Sequence, residues 1–200
     1  GGEFLMYAKL ARDGRRAEIF LYDPLERENS LYNPDRPAFT MVGTAHGHWT
    51  MLQDRCDLCR HSRHAFCSSC RGKQSEVMTV QHTKEDVGEG ISHCMDVAFP
   101  LDSRWQDECG PEVCNTPRKE AQLITKLPVW NERVESLVLD FQGRTVQASA
   151  KNFQLALEDE PEHVVCQYAK IGTDTFGLDF KYPLTVAQAF AMSLTTLHWA

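Results

Sequence analysis

Four cysteines between residues 56 and 70 have the spacing of a metal site. Cys56 and Cys59 form one C-x-x-C pair, and Cys67 and Cys70 form a second. Each pair can direct two thiolates at one centre, and two such pairs complete the tetrahedral coordination that zinc prefers. We therefore expect a structural zinc ion that staples this loop.

The spacer between the two pairs leaves other interpretations open. It covers residues 60–66, which is shorter than the spacer of most zinc ribbons, and it contains His61 and His64, either of which could replace a cysteine ligand. A reduced loop without metal and a redox pair are the alternatives, although no thioredoxin-like βαβ pattern surrounds the cysteines. No open coordination position or nearby Glu base is evident, so the pattern does not indicate a catalytic metal.

The cysteine segment is locally basic within a chain that is acidic overall. The formal net charge of −7 argues against a protein that coats nucleic acid by bulk attraction. A local cluster of cations can nevertheless bind phosphate or an anionic membrane surface, or it can simply be a solvated loop. The cations of this segment are Arg55, Arg60, Arg63, Arg71 and Lys73, and the carboxylates among them are Asp54 and Asp57.

No pattern in the sequence indicates an enzyme. Neither G-x-S-x-G nor H-E-x-x-H occurs, and the histidines are scattered. Asp140 and Asp179 lie on strand patterns, where we expect them to face solvent rather than to catalyse. Cys94 and Cys166 also lie within strand patterns and are predicted to be buried apolar residues. Because no signal peptide, membrane span or lipidation motif is visible, we expect a cytosolic or nuclear location.

Short strands separated by turn signals make up most of the chain. An Asp-Gly turn at Asp13 and Gly14 joins the first two strands, and a turn around Gly172 joins the last two. Residues 102–121 have the composition of a loop. Strands are predicted at residues 4–10, 17–22, 38–42, 48–52, 76–82, 91–99, 137–141, 146–150, 153–157, 164–171 and 175–182. Such a series predicts an antiparallel sandwich or barrel.

A run that is apolar on nearly every side follows the last strand. Thr185 can cap the start of a helix there, and Pro183 ends the preceding strand. No charged residue occurs between Lys181 and His198. Such a helix is either buried or lies in a membrane, and this one is shorter than the roughly 20 apolar residues that a span needs. We expect it to pass through the middle of the fold rather than to pack on one sheet. A closed barrel around it would bury it and remove exposed strand edges.

Two stretches resemble the signatures of the tubby C-terminal domain family. The run FQGRTVQASAKNFQ at residues 141–154 is similar to the first signature, and AFAMSL at residues 189–194 is similar to the start of the second. The resemblance is dense over residues 127–197 and weaker but collinear over residues 4–99. It implies a mainly β fold, a closed antiparallel β-barrel of about a dozen strands around a buried hydrophobic C-terminal α-helix. Residues 1–200 would form a single domain with residues 56–73 as a cysteine-rich insertion, truncated at both ends.

The resemblance also implies a function without catalysis. Tubby-like domains bind phosphatidylinositol bisphosphate at the inner membrane face, and many are adaptors in the trafficking of membrane and ciliary proteins. Their head-group site uses a Lys-x-Arg pair on an early strand, an Asn before it and an Arg on a later strand. Here Thr40 and Val42 stand at the positions of the Lys-x-Arg pair. The head-group residues that the resemblance then implies are Asn29, Arg71 and Lys73.

Two other functions are compatible with these residues. The acidic net charge and the altered lipid site favour a protein–protein interaction module without phosphoinositide specificity. The basic cysteine loop is compatible with a zinc-dependent nucleic-acid-binding regulator of transcription, although nucleic acid is the less favoured partner. The expected location is cytoplasmic, peripheral to the plasma or ciliary membrane, with the nucleus as the alternative. The expected protein partners are membrane-protein cargo or trafficking proteins.

Overall fold

Antiparallel strands that follow one another in chain order account for most of the described structure. The computed structural model describes residues 5–21, 36–54, 73–88, 90–101 and 120–199. These residues fall into two compact units that divide between Thr79 and Val80.

The first unit contains four complete strands and the start of a fifth. The strands are β1 (Tyr7–Leu10), β2 (Arg16–Phe20), β3 (Phe39–Gly43), β4 (His48–Gln53) and β5 (Ser75–Asp86), in the spatial order β1-β2-β3-β4-β5. The predicted turn at Gly14 is confirmed, since that residue has a φ of 66° and the Ala11 N–H donates to the Arg16 carbonyl at 2.8 Å. Alternating apolar side chains form the interior of this unit, with Ile19, Met41 and Met51 fully buried.

The second unit continues the antiparallel pattern from the end of β5. Its other strands are β6 (Ile91–Pro100), β7 (Glu120–Thr125), β8 (Val129–Asn131), β9 (Ser136–Val138), β10 (Phe153–Leu157), β11 (Glu160–Lys170) and β12 (Phe176–Phe180). The spatial order is β5-β6-β7-β10-β11-β12, and β8 pairs separately with β9. The described residues therefore contain twelve strands, which agrees with the mainly β class that the sequence predicts.

Three local predictions for the second unit are wrong. β7 begins at Glu120, within the predicted loop, because Ala121 and Leu123 alternate onto the buried face. β11 begins at Glu160 instead of residue 164, so only a two-residue turn separates it from β10. Residues 146–150 form no strand, and their backbone is held by side chains and by one isolated bridge between Gln147 and Lys170.

The predicted C-terminal helix is present as α1 (Val186–Thr195). Thr185 caps it as expected. The Thr185 hydroxyl oxygen accepts the Gln188 N–H, and the Gln188 side chain accepts the Thr185 N–H, which completes a capping box. Seven of its ten residues are buried, including Ala189, Ala191 and Met192 at 0% exposure. The prediction of a buried apolar helix is therefore confirmed.

The hydroxyl groups at the end of the helix form hydrogen bonds with nearby backbone carbonyls. The hydroxyls of Ser193, Thr195 and Thr196 donate to backbone carbonyls three residues earlier, at 2.7–2.8 Å. A 3₁₀ turn (Thr196–His198) follows the helix, and Trp199 is buried directly after it. Among the described residues, no helix is both long enough and apolar enough to cross a lipid bilayer.

Candidate functional site

β3 carries the residues that replace the expected Lys-x-Arg pair. Thr40 is fully buried, and its hydroxyl donates to Asp54 Oδ2 at 2.7 Å. The Gln74 side-chain amide donates to the other carboxylate oxygen of Asp54. Val42 lies two residues along β3 and is 37% exposed. This face of the first unit therefore presents a hydrogen-bonded carboxylate where the resemblance implies an ammonium group.

Such an arrangement does not suit a phosphate group at Asp54. A carboxylate repels an anionic ligand, and its two oxygens already accept hydrogen bonds from Thr40 and Gln74. Lys73 is exposed directly before Gln74, so its ammonium group can reach solvent beside this cluster. Asn29 and Arg71, the other two predicted head-group residues, lie outside the described residues.

The tight hairpin between β3 and β4 fixes the position of this cluster. The paired strands place Thr40 opposite Leu52 and Gly43 opposite Trp49. A Cβ atom at Gly43 would lie 2.9 Å from the indole ring of Trp49, so only glycine lets the ring pack on the strand. Sequence reasoning did not reveal the contact between Thr40 and Asp54, because it depends on this register.

The predicted zinc site has six candidate ligands. Cys56, Cys59, Cys67 and Cys70, together with His61 and His64, lie outside the described residues. Within the part of the chain that is described, no group of three or more His, Cys, Asp or Glu side chains could hold a metal ion.

The two described cysteines are the buried residues that the sequence predicts. Cys94 and Cys166 are 4% and 1% exposed. Burial raises the pKa of the Cys166 thiol to about 12, with a smaller contribution from Asp179, and burial also raises the pKa of Cys94. Both thiols therefore stay protonated at neutral pH and are poor nucleophiles.

Residues 141–152 of the FQGRTVQASAKNFQ stretch form a loop that polar side chains of the stretch hold in place. The Asn152 amide donates to the Gln147 carbonyl and its oxygen accepts the Lys170 N–H, both at 2.9 Å. The Gln154 amide donates to the Asp140 carbonyl at 2.8 Å. These contacts replace strand pairing across residues 140–152, so the residues of the motif have a structural role here.

An ion pair anchors the same loop to β12. Arg144 pairs with Asp179, which also accepts a hydrogen bond from the Gln167 side chain at 3.0 Å. Gln167 in turn accepts from Gln154 at 3.2 Å. Asp179 is thus half-buried within a polar network rather than simply facing solvent. Its contacts with Arg144 and Gln167 give it a structural role.

His82 on β5 ties the end of α1 to the strands of the second unit. Its Nε2 lies 2.9 Å from Thr195 Oγ1, whose hydroxyl proton is donated to the Met192 carbonyl. Nε2 must therefore be the donor, and Nδ1 accepts the indole N–H of Trp199 at 3.2 Å. Burial, followed by the neighbouring His93 and His198, lowers the pKa of His82 to about 4. The imidazole is neutral at physiological pH and has a structural role.

A cleft of about 750 Å³ opens in the second unit. It lies between the start of β6 and two later segments, β9 and residues 146–150. Lys84, Lys126 and His93 line it together with apolar side chains such as Leu137 and Phe141. We call it the β6 cleft. Sequence reasoning did not predict it, because its walls come from five separate parts of the chain.

Comparison with known proteins identifies a matching family and relatives that cover part of this chain. The model of the Tub family matches residues 60–199. The chain is 46% identical over 76 residues to Tubby protein homolog 1 from Caenorhabditis elegans, which covers 38% of this chain and 18% of that protein. It is 40% identical over 94 residues to human Tubby-related protein 3, which covers 47% of this chain and 20% of that protein. Protein king tubby from Drosophila sechellia is 47% identical over 75 residues, or 38% of this chain and 17% of that protein. The matched part therefore spans about a fifth of each relative.

Proposed function

Because this chain belongs to the Tub family, we propose that it is a non-enzymatic adaptor that binds phosphoinositide at a membrane surface and carries membrane or ciliary proteins. The observation that carries this proposal is the family match over residues 60–199, which includes the helix and the loop of residues 140–152. The proposed location is the cytoplasmic face of the plasma or ciliary membrane. Membrane-protein cargo or trafficking proteins are the proposed partners.

The proposed head-group site uses Asn29, Arg71 and Lys73 in place of cations on β3. A phosphorylated inositol needs several charge-assisted hydrogen bonds, and each such bond is about twice as strong as a neutral one. Thr40 and Val42 supply none, so the affinity must come from the cations before β5. Lys73 supports this assignment because its side chain is exposed.

The contact between Thr40 and Asp54 favours a second candidate function. A carboxylate at this face opposes anionic lipid and suits a cationic or neutral protein surface. The second candidate is therefore a tubby-fold module that binds proteins without phosphoinositide specificity.

Flotation with vesicles distinguishes the two candidates. Phosphatidylcholine vesicles with and without phosphatidylinositol bisphosphate should be tested at physiological salt. If the lipid proposal is right, the chain floats only with the phosphoinositide. The double variant Arg71→Glu, Lys73→Glu should then lose about tenfold or more in affinity, since two favourable contacts become repulsive.

The matched control reverses two exposed charges of the second unit, Arg133→Glu and Lys181→Glu, and gives the same change in net charge. It should float like the unmodified chain. Equal losses in both double variants would mean that only bulk charge matters. Absence of flotation from a folded sample would reject the lipid proposal and favour the protein-binding candidate.

A further inference from the structure

We propose that a second cleft, beside Gln154, binds a free α-amino acid with an aliphatic side chain, such as leucine. This cleft has a volume of about 390 Å³ and lies within the second unit. Its walls include parts of β8, β9, β10 and β11. We call it the Gln154 cleft. It contains none of the proposed head-group residues, so the proposal is independent of lipid binding.

The first support is a buried hydrogen-bond acceptor in the wall of the cleft. Gln154 is only 3% exposed, yet it lines the cleft. Its side-chain nitrogen donates to the Asp140 carbonyl at 2.8 Å and to Gln167 Oε1 at 3.2 Å. Among the described residues, no group donates to the side-chain oxygen of Gln154. A buried carbonyl oxygen without a donor is unfavourable, so a ligand that brings an N–H group to it is stabilised there.

The surrounding hydrogen bonds fix which atom of the Gln154 amide lacks a partner. The Gln167 nitrogen donates to Asp179 Oδ2 at 3.0 Å, and this leaves the Gln167 oxygen to face Gln154. The nitrogen of Gln154 must then face both Gln167 and the Asp140 carbonyl, because both are acceptors. Exchanging the nitrogen and oxygen of Gln154 would bring acceptors against each other. The oxygen is therefore the atom that remains for a donor in the cleft.

The second support is one carboxylate and one ammonium group that remain available to a ligand. Lys126 and Glu162, which both line the cleft, pair with each other at 3.4 Å. The other two charged residues of this kind in the wall, Asp140 and Lys181, have no ion pair among the described residues. Asp140 Oδ1 accepts the Gln142 N–H at 2.8 Å, and its second oxygen can accept from a ligand.

A zwitterion matches these groups. Its ammonium has three protons to donate, so it can serve the Asp140 carboxylate and the Gln154 oxygen together. Its carboxylate can pair with the exposed ammonium of Lys181. A ligand with only one charge would leave either Asp140 or Lys181 without a partner, so charge complementarity favours an α-amino acid.

The third support is the apolar part of the cleft. Leu127, Val129, Leu139 and Val164 line it, and they can pack against an aliphatic side chain. The volume of about 390 Å³ is at the lower end of the range of ligand sites, which suits one small molecule. A mostly apolar wall with a few convergent polar groups is the usual composition of such a site.

Titration of the whole chain with three related ligands, followed by nuclear magnetic resonance, tests the proposal. Leucine carries both charges, leucinamide lacks the carboxylate, and 4-methylpentanoate lacks the ammonium group. Leucine should shift the side-chain amide signal of Gln154 and the backbone amide signals of Leu127 and Val164. The other two ligands should bind about tenfold or more weakly, because each has lost one charge-assisted contact.

Two variants assign each charge of the ligand to its partner. Lys181→Gln should weaken leucine binding about tenfold and change leucinamide binding by less than about twofold, since leucinamide has no carboxylate. Asp140→Asn keeps an oxygen for the Gln142 N–H, and it should weaken leucine but not 4-methylpentanoate. Lys84→Gln and Asp174→Asn are the matched controls, because each removes the same charge at an exposed residue outside the Gln154 cleft.

Three results would overturn the proposal. The first is the absence of a saturable shift with leucine at millimolar concentration. The second is equal affinity for all three ligands, because the contacts would then be apolar alone. The third is leucine binding that neither Lys181→Gln nor Asp140→Asn weakens more than its control does. Saturable shifts of the same signals with inositol trisphosphate but not with leucine would assign the cleft to a phosphate ligand and reject an amino acid.

Discussion

The Trp199 indole N–H donates a hydrogen bond to Nδ1 of His82 across a distance of 3.2 Å and a separation of 117 residues. The other imidazole nitrogen donates to Thr195 at the end of α1. One neutral histidine thus joins β5 to both the end of the helix and the tryptophan that follows the 3₁₀ turn.

Acidification should destabilise the second unit through His82. Its folded pKa of about 4 is below the ordinary value of 6.5, so the unfolded chain takes up this proton first as the pH falls. The stabilisation is complete above pH 6.5 and is lost as the pH falls towards 4, by on the order of 2 kcal/mol. Urea unfolding across this pH range measures the loss. His82→Gln, which can accept and donate but does not titrate, should flatten the slope over the same range. An unchanged slope would assign the acid sensitivity to other groups.

Asn152→Ala should destabilise the loop of residues 140–152. The variant leaves the Gln147 carbonyl and the Lys170 N–H without their side-chain partner, which should cost about 1–3 kcal/mol. Asn131→Ala is the matched control, because Asn131 is exposed and accepts one N–H from Arg133. Urea midpoints of the two variants give the comparison. A control that costs as much as Asn152→Ala would contradict the structural role of Asn152.

Gly143→Ala should destabilise the chain through the backbone alone. Gly143 has a φ of 81°, which side-chain-bearing residues avoid, yet a Cβ atom there would meet no atom within 4 Å. The expected cost is about 1 kcal/mol. Gly172→Ala is the control. Its Cβ would make an ordinary 3.4 Å contact with Thr175 without a positive φ, so thermal unfolding should show a smaller loss for that variant.

Val42→Arg should increase vesicle binding if the proposed head-group site is correct. Val42 is 37% exposed and stands at the Arg position of the family pair, so a guanidinium there can reach solvent. One added phosphate contact should raise the affinity several-fold, by about 1–2 kcal/mol. Ile171→Arg adds the same charge at an exposed site of the second unit. Flotation that improves equally for both variants would indicate bulk attraction rather than a site.

The cysteine pairs should bind one zinc ion per chain. Native mass spectrometry before and after chelation measures the metal, and Cys56→Ser with Cys59→Ser should remove it, because one pair supplies half of the ligands. Cys94→Ser, at a buried thiol far from the motif in sequence, should retain the metal. Full occupancy in the double variant would point to the other ligands, including His61 and His64.

The parts of the fold with local signals were predictable from the sequence. The helix cap at Thr185 and the turn at Gly14 depend on neighbouring residues only, and both are confirmed. β7 was missed because a short strand lies at the end of a polar stretch. Apolar and polar residues alternate over residues 146–150 as they would in a strand, but the Asn152 side chain holds this backbone instead of a strand partner.

The candidate site was less predictable because it depends on strand register. Thr40 and Asp54 are 14 residues apart and meet only through the pairing of β3 with β4. The sequence alone showed that Thr40 departs from the Lys-x-Arg pair of the family. It did not reveal that the Asp54 carboxylate lies beside Thr40. The β6 cleft likewise depends on where β7 ends relative to β6.

The long separation between His82 and its two partners has a consequence for biosynthesis. A ribosome completes β5 more than a hundred residues before Thr195 and Trp199 exist. The hydrogen bonds of the imidazole cannot form until the helix has been synthesised, and contacts between residues so far apart in sequence form slowly. Nascent chains arrested before residue 195 should therefore expose apolar strands to chaperones, and release of the helix from the exit tunnel should mark the moment when that binding ends.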